Sequence, residues 1–594
     1  MMHDSVRNTR PRPGNDHGID PAILDAIRSG AMTIGEALER ERERLASEKG
    51  LTRDGVAHWN RPTERAFTRK EREHTTVLFG GLTWKHERLI QANLRRLGYK
   101  AEYLPAPDGR AYEKGKEFSN NGLCNPTYFT VGCLIAYLQD LEASGLSRTD
   151  IIDSYIFFTA GACGPCRFGM YESEYRLALR NAGFDGFRVL ILQQQGGLDQ
   201  TAENAGLEMN LDFTLGIVNA FVLADVLNDL AYRTRPYERT AGATDRALEA
   251  AMEHVARAVE TLPVLRPSRT LTTLLGRRTA GTALALKKFR RHIFGQELLR
   301  ALREARTYFT DIETDRTRVK PLVKITGEFW AQTTEGDGNF RMFRFLEQEG
   351  AEVLIEPITP WLLYLLHQEK QARRDRRLLD VDPSLPRVRK LSRKAASLFR
   401  YAQAQSLLTL AEYFYAREYR RYRRAMHDIP QSLPDQYHFS RIASRYFNTR
   451  IEGGEGHLEV AKTIYYSENA LCHMMLSLKP FGCLPSTQSD GVQSAVVAHH
   501  KDILFLPIET SGEGEINAQS RVQMMLADAR ERARDEFERA LADNCLSVEA
   551  LREAMEHHPE LRSAFLRLPP DGKHAGTAAR FVRHVAALSR RTAR

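Results

Sequence analysis

Residues 75–82, Thr-Thr-Val-Leu-Phe-Gly-Gly-Leu, form a short apolar run closed by paired glycines. A helical apolar period follows over 86–97, stopped by Gly98, and a second extended run occupies 100–105. That order predicts a strand, helix, strand unit with a parallel crossover. A further strand is expected over 151–159, then a loop, a helix over 170–182 and a strand over 187–193. The same grammar returns with a strand ending near Trp330, a helix over 340–348, a strand over 351–356, a helix over 465–478 and a strand over 502–509 before a long helix over 517–541. The pattern predicts an α/β chain with at least two doubly wound domains.

The boundaries follow from these signals. Residues 1–72 read as a polar leader with one helical stretch over 21–49, and 73–206 as the first α/β domain. Residues 207–318 are mostly helical, 319–366 begin the second α/β domain, 367–430 are a basic helical insertion, 431–545 complete that domain, and 546–594 are a helical, basic tail expected to fray from about Pro569. About three or four units suit 594 residues.

Net charge is +9, but residues 371–424 hold 15 Lys or Arg against 5 Asp or Glu, so this one segment accounts for the excess. Tyr415, Tyr419 and Tyr422 lie at helical spacing within it. An amphipathic helix with a solvated basic side is the expectation, and nucleic acid is not, since no recognition motif accompanies the charge. No apolar run approaches a membrane span and no signal sequence is evident at the start, so a cytoplasmic location is expected.

Thiols stay reduced in that compartment, so clustered cysteines point to metal or redox chemistry. Six of seven cysteines fall in two windows, Cys124, Cys133, Cys163 and Cys166 in one, Cys472 and Cys483 in the other. Ala162-Cys-Gly-Pro-Cys166 follows a strand at the edge where α/β sheets place ligands and leads into a helix, whose N-terminus favours thiolate. Cys124-Asn-Pro126 and Cys483-Leu-Pro485 have the same proline-limited form. On the residues alone three readings stand: an iron–sulfur site, a redox dithiol or zinc site, and buried structural cysteines. Cys133 fits a small apolar residue of a buried helix. Arg167 reads as a partner to an anionic cofactor or a plain ion pair, and Glu328 and Glu509 as strand-end carboxylates at a cleft or helix caps. Gly453-Gly-Glu-Gly-His457 lacks the Lys-Ser/Thr ending of a phosphate loop.

Several of these segments, with Leu78-Phe-Gly-Gly-Leu-Thr83, Asn120-Asn-Gly-Leu-Cys-Asn-Pro-Thr-Tyr-Phe-Thr130, Phe158-Thr-Ala-Gly-Ala-Cys-Gly-Pro-Cys-Arg-Phe-Gly-Met-Tyr171, Gly183-Phe-Asp-Gly-Phe-Arg188 and Leu478-Lys-Pro-Phe-Gly-Cys-Leu-Pro-Ser486, resemble the 2-hydroxyglutaryl-CoA dehydratase and activase-related family over about 72–541. The resemblance implies Rossmann-like domains holding, at their cleft, a four-iron, four-sulfur cluster or, in one branch, a double-cubane cluster. Cys124, Cys166 and Cys483 match the family's loop cysteines, and Cys163 and Cys472 match the narrower branch. It further implies low-potential electrons from an ATP-hydrolysing activator of the actin and acetate kinase type, an acyl-CoA substrate, and a second dehydratase-like subunit. The chain has no ATP-binding loop of its own, so the activator is expected as a separate polypeptide. A non-catalytic electron relay and a zinc or metal-free scaffold remain the alternatives.

Overall fold

The computed structural model describes residues 64–592 apart from 162–165, 194–196, 199–204, 267–268, 380, 382–383, 385 and 452, with scattered positions between 29 and 47. Residues 1–63 and 64–594 are separate units. In the first, Thr33 and Glu36 exchange the hydrogen bonds of a capping box. The second unit begins earlier than the leader boundary expected at 72. Glu64 accepts hydrogen bonds from Arg176 and from the Val189 backbone, and Phe67 is buried in the core.

Two sheets organise the second unit. The first has the order β2-β1-β3-β4-β5, built from β1 (Thr76–Phe79), β2 (Lys100–Tyr103), β3 (Tyr155–Ala160), β4 (Arg188–Gln193) and β5 (Gly197–Leu198). Its first four strands are parallel and β5 is antiparallel. The second has the order β7-β6-β8-β9, all parallel, from β6 (Leu322–Gly327), β7 (Glu352–Leu354), β8 (Met474–Pro480) and β9 (Leu504–Thr510). The order in which strands are added therefore reverses between β1 and β3 and between β6 and β8, where α/β sheets open a crevice at the carboxyl edge.

Alternation along β1 shows why helices cover both faces of the first sheet. Val77 and Phe79 join a core with the helices Trp84–Arg96, Leu211–Thr234 and Ala243–Glu260, whereas Leu78 joins another with Asn125–Ala143 and Tyr171–Asn181. The helical region after 207 is thus a layer on the first sheet. Leu211–Tyr237 is long and apolar enough to cross a membrane, but most of it is buried in this layer. It carries buried Asp225, which accepts from the Ile358 and Thr359 N–H groups and so caps the helix Ile358–Arg376. Tyr415, Tyr419 and Tyr422 of the helix Arg387–Ala425 pack into the same core.

The second sheet has unlike faces. Val323, Ile325, Met474, Leu476 and Leu478 pack on the helices Met342–Gln348 and Glu515–Asn544. Its other face presents Lys324, Ser477 and Lys479, buried under the helix His457–Glu468. Lys324 and Lys462 hold Glu356 at 2.6 and 2.9 Å, and Lys479 lies 3.1 Å from Glu459. This polar face explains one difference from the sequence reading. The helix expected over 465–478 ends at Glu468, and Met474–Pro480 is a central strand. The strand expected over 151–159 likewise begins only at Tyr155, after a helix Arg148–Ser154. The tail expected to fray is packed instead, with Phe581 and Val582 buried beside Phe537 in the helix Thr577–Thr592.

Candidate functional site

Cys124 and Cys483 are built alike. Each is the N-cap of a helix with proline in its first turn, Asn125–Ala143 and Leu484–His499. Cys166 caps a single turn, Arg167–Met170, that feeds the helix Tyr171–Asn181. All three thiols thus sit beside helical N–H groups that favour negative charge.

The two sheets bring these loops together. The Asn125 N–H donates to the Phe481 carbonyl at 3.1 Å, and the Asn125 amide donates to the Gly338 carbonyl at 3.2 Å and to Thr510 Oγ1 at 3.4 Å. Gly482, at φ +76°, lets the loops meet: a Cβ there would lie 3.3 Å from the Leu123 carbonyl and 3.4 Å from Cys124 Cα. Arg167 donates to the Gly122 carbonyl at 2.5 Å, with its guanidinium 3.7 Å from that same Cβ position. It therefore clasps the Cys124 loop beside the Cys483 loop. Cys124 Sγ is 3.2 Å from both Thr127 Oγ1 and Tyr171 Oη.

Two carboxylates face the thiols. Glu328 caps the short helix Phe329–Thr333 by accepting from the Ala331 N–H at 3.0 Å, as the cap reading expects, and its charge acts on Cys166 and Cys483. Gly327 before it has φ +116°, and a Cβ there would lie 2.1 Å from the Leu478 carbonyl, so only glycine lets β6 end against β8. Glu455 accepts from the Phe329 N–H. Burial raises both acids well above the usual carboxylate range, and for Glu455 the Glu328 charge adds to the effect. The pair therefore keeps a proton near neutral pH.

Burial also governs the thiols. It pushes Cys166 up to about 12, with Glu328, Glu455 and Cys124 adding to the rise. Cys483 is raised by burial and then by Glu328 and Glu455, against the lowering effect of Ser486. A metal bound here must displace these protons, which ties loading to pH.

The remaining expected residues lie elsewhere. Cys472 stands before β8, at the opposite end from Cys483, so seven residues of strand, about 20 Å, separate them. Its thiol is raised to about 12 by burial, while Lys324 lowers it. Its nearness to Cys483 in the sequence and its match to the narrower branch of the resembled family grouped this cysteine with the others; the strand between them holds it away. Glu509 is exposed on β9, and its neighbour Thr510 is the residue that reaches Asn125. Cys163 lies outside the described residues. Cys133 is buried in mid-helix, 3.3 Å from the Pro105 carbonyl. His473 accepts from the Leu322 N–H at 2.8 Å, a structural role.

Glu455 was not expected. Its signal lay in the glycines around it: Gly453, Gly454 and Gly456 all have positive φ, and a Cβ on Gly454 would lie 2.4 Å from Pro485 Cβ. The Gly-Gly-Glu-Gly loop thus folds its carboxylate inward against the start of the Cys483 helix.

Among the described residues no group of three or more His, Cys, Asp or Glu is close enough to hold a single metal ion. Cys124, Cys166 and Cys483 together offer three sulfurs at helix N-termini, a soft donor set. Met170, Phe481 and Leu484, next to the cysteines, are 60 %, 57 % and 42 % exposed and form an apolar rim. Neither protein-family models nor curated proteins match this chain.

Proposed function

We propose that the chain is an iron–sulfur protein of the 2-hydroxyacyl-CoA dehydratase type, with two Rossmann-like halves sharing one site. The observation that carries this reading is the meeting of the Cys124 and Cys166 loops with the Cys483 loop, through Asn125, Gly482 and Arg167. Cys124, Cys166 and Cys483 are the ligands, with Cys163 the candidate for a further position; Cys472 belongs to no shared site with them. Such a cluster supplies single electrons at low potential.

The chain's own residues set its surroundings. Tyr171 and Thr127 offer hydroxyl hydrogens to the Cys124 sulfur, and hydrogen bonds to ligand sulfurs tune potential. Arg167 holds a positive charge against the loops, while Glu328 and Glu455 hold a proton beside the thiols, available to a substrate oxygen in the cleft. The apolar rim of Met170, Phe481 and Leu484 suits docking of a separate ATP-hydrolysing activator. An acyl-CoA is the proposed substrate, with a second dehydratase-like subunit as the proposed partner.

The test is iron, zinc and acid-labile sulfide on protein purified without oxygen, with electron paramagnetic resonance after dithionite reduction. About four irons and four sulfides, lost in Cys124→Ser, Cys166→Ser and Cys483→Ser but retained in Cys472→Ser, are expected. Zinc, or no metal in any preparation, would refute the reading. Turnover of an acyl-CoA with an added activator separates an enzyme from an electron relay.

A further inference from the structure

Toward the other end of β8 from the Cys483 loop lies a cavity of about 330 Å³, walled by the start of β6, the edge strand β7 and the residues after it, the segment 428–434, the helix His457–Glu468 and the segment 566–580. That volume is at the small end of ligand pockets. None of the described cysteines lines it. Its wall carries the cations Arg233, Arg316, Arg423, Lys462, Arg567 and Arg580.

The carboxylates on the wall are already engaged. Glu356 lies between Lys324 and Lys462, and Asp428 pairs with Arg423 at 2.9 Å. Glu352 accepts from Tyr237 Oη at 2.8 Å and Thr577 Oγ1 at 2.6 Å. Three arginines stay poorly matched. Among the described residues no carboxylate lies within ion-pair distance of Arg316 or Arg580. Arg316, 4 % exposed, donates to Thr314 Oγ1 and to the Ser563 and Ala564 carbonyls, the last two at 2.8 and 3.2 Å, all neutral acceptors. Arg580 makes only long bonds, 3.4 Å to the Gly576 and Leu568 carbonyls and 3.5 Å to Thr577 Oγ1. Arg233 stands 3.6 Å from Asp229, and its buried Nε has no hydrogen-bond partner. Burial lowers the pKa of Arg316 and Arg580, with Arg233 adding to the fall at Arg580 as clustered cations do, whereas at Arg233 burial is outweighed by Asp229 and then Glu352, which raise it.

Buried Arg316 and half-buried Arg233 and Arg580 around an open volume favour an anion there, since a poorly matched charge held out of water is costly. The planar fork of arginine matches phosphate oxygens in pairs. The lining also has an aromatic and apolar part, with Tyr419, Tyr465, Pro430, Pro434 and Leu566. We propose that this cavity binds a small phosphate monoester, its phosphate held by Arg233, Arg316 and Arg580 and its organic body lying against Tyr419, Tyr465 and the prolines.

The full-length chain is titrated calorimetrically with inorganic phosphate and with adenosine monophosphate, at constant ionic strength in chloride. Saturable binding of both is expected, the monoester at least tenfold tighter, with at least tenfold weakening in Arg580→Met and no change in Cys166→Ser. The last variant separates this site from the proposed cluster. Absence of saturable binding overturns the proposal. Equal affinity for the two probes overturns the organic body, and unchanged binding in Arg580→Met overturns the placement. Should Arg580→Met not fold, Arg567→Ala, on the exposed lip of the cavity, is expected to weaken both probes severalfold, and unchanged affinity there counts equally against the site.

Discussion

Replacing Lys479 by methionine tests the buried polar face of the second sheet. The Lys479 and Glu459 side chains are 4 % and 2 % exposed and lie 3.1 Å apart, and Glu459 also accepts from Ser477 and Ser489. Methionine keeps most of the lysine stem but leaves the carboxylate with two hydroxyls and no cation. Breaking one side of a buried pair costs about 3–5 kcal/mol. Thermal melts of wild type and variant at pH 8 read this directly, with an expected gap of about 6–10 °C at about 2 °C per kcal/mol for a unit of this size. Adding Glu459→Gln is expected to recover most of that loss, since a neutral amide needs no cation beside it. A gap that Glu459→Gln leaves unchanged would mean that lost packing is the cause. A gap under about 2 °C would mean that Glu459 is solvated, and a buried charged layer on this face of the sheet would be wrong.

The helices Gly109–Phe118 and Asn125–Ala143 touch backbone to backbone, since a Cβ on Gly132 would lie 1.7 Å from the Ala111 carbonyl and one on Gly115 1.9 Å from that of Tyr128. Gly132→Ala is therefore expected to cost about 1–3 kcal/mol by overpacking and to lower iron retention by displacing the Cys124 helix; an unchanged melting temperature would refute this contact. Burial raises Glu87 to about 8, against the N–H groups of Leu82 and Gly81 that lower it. The folded chain then holds a proton that the unfolded chain has released, so its contribution to stability falls by about 1.4 kcal/mol per pH unit from the ordinary carboxylate range up to about pH 8. Glu87→Gln removes that slope in denaturant titrations across this window, and an identical slope in both proteins would count against a buried Glu87. Gly482→Val is expected to separate the Cys124 and Cys483 loops and so to lose iron while the melting temperature falls only modestly, by about 2–4 °C; full iron content would show that the loops need no close approach.

Apolar runs and helical periods in 75–193 gave the strand and helix order of the first sheet because each is decided within a few residues. Where a strand faces charge, that signal can fail: Ser477 and Lys479 break the apolar run expected of a central parallel strand, and β8 reads as helix, although β6 is legible as a strand despite Lys324. Cys472 is only eleven residues from Cys483 in the sequence, but the strand between them puts the two at opposite ends of β8. Glu455 was passed over because a carboxylate among glycines resembles an ordinary solvated loop until Phe329 and Pro485 are placed beside it.

The sequence by itself determined the α/β alternation and the placing of Cys124, Cys166 and Cys483 in loops, since proline and glycine act on their immediate neighbours. Only the tertiary structure decided which loops meet. Strand order aligned the carboxyl edges of two sheets, Asn125 reached Phe481 across more than three hundred residues, and the 428–434 and 566–580 segments closed a cationic cavity over strands they do not adjoin. Those juxtapositions depend on burial and pairing between distant segments, which no local pattern encodes.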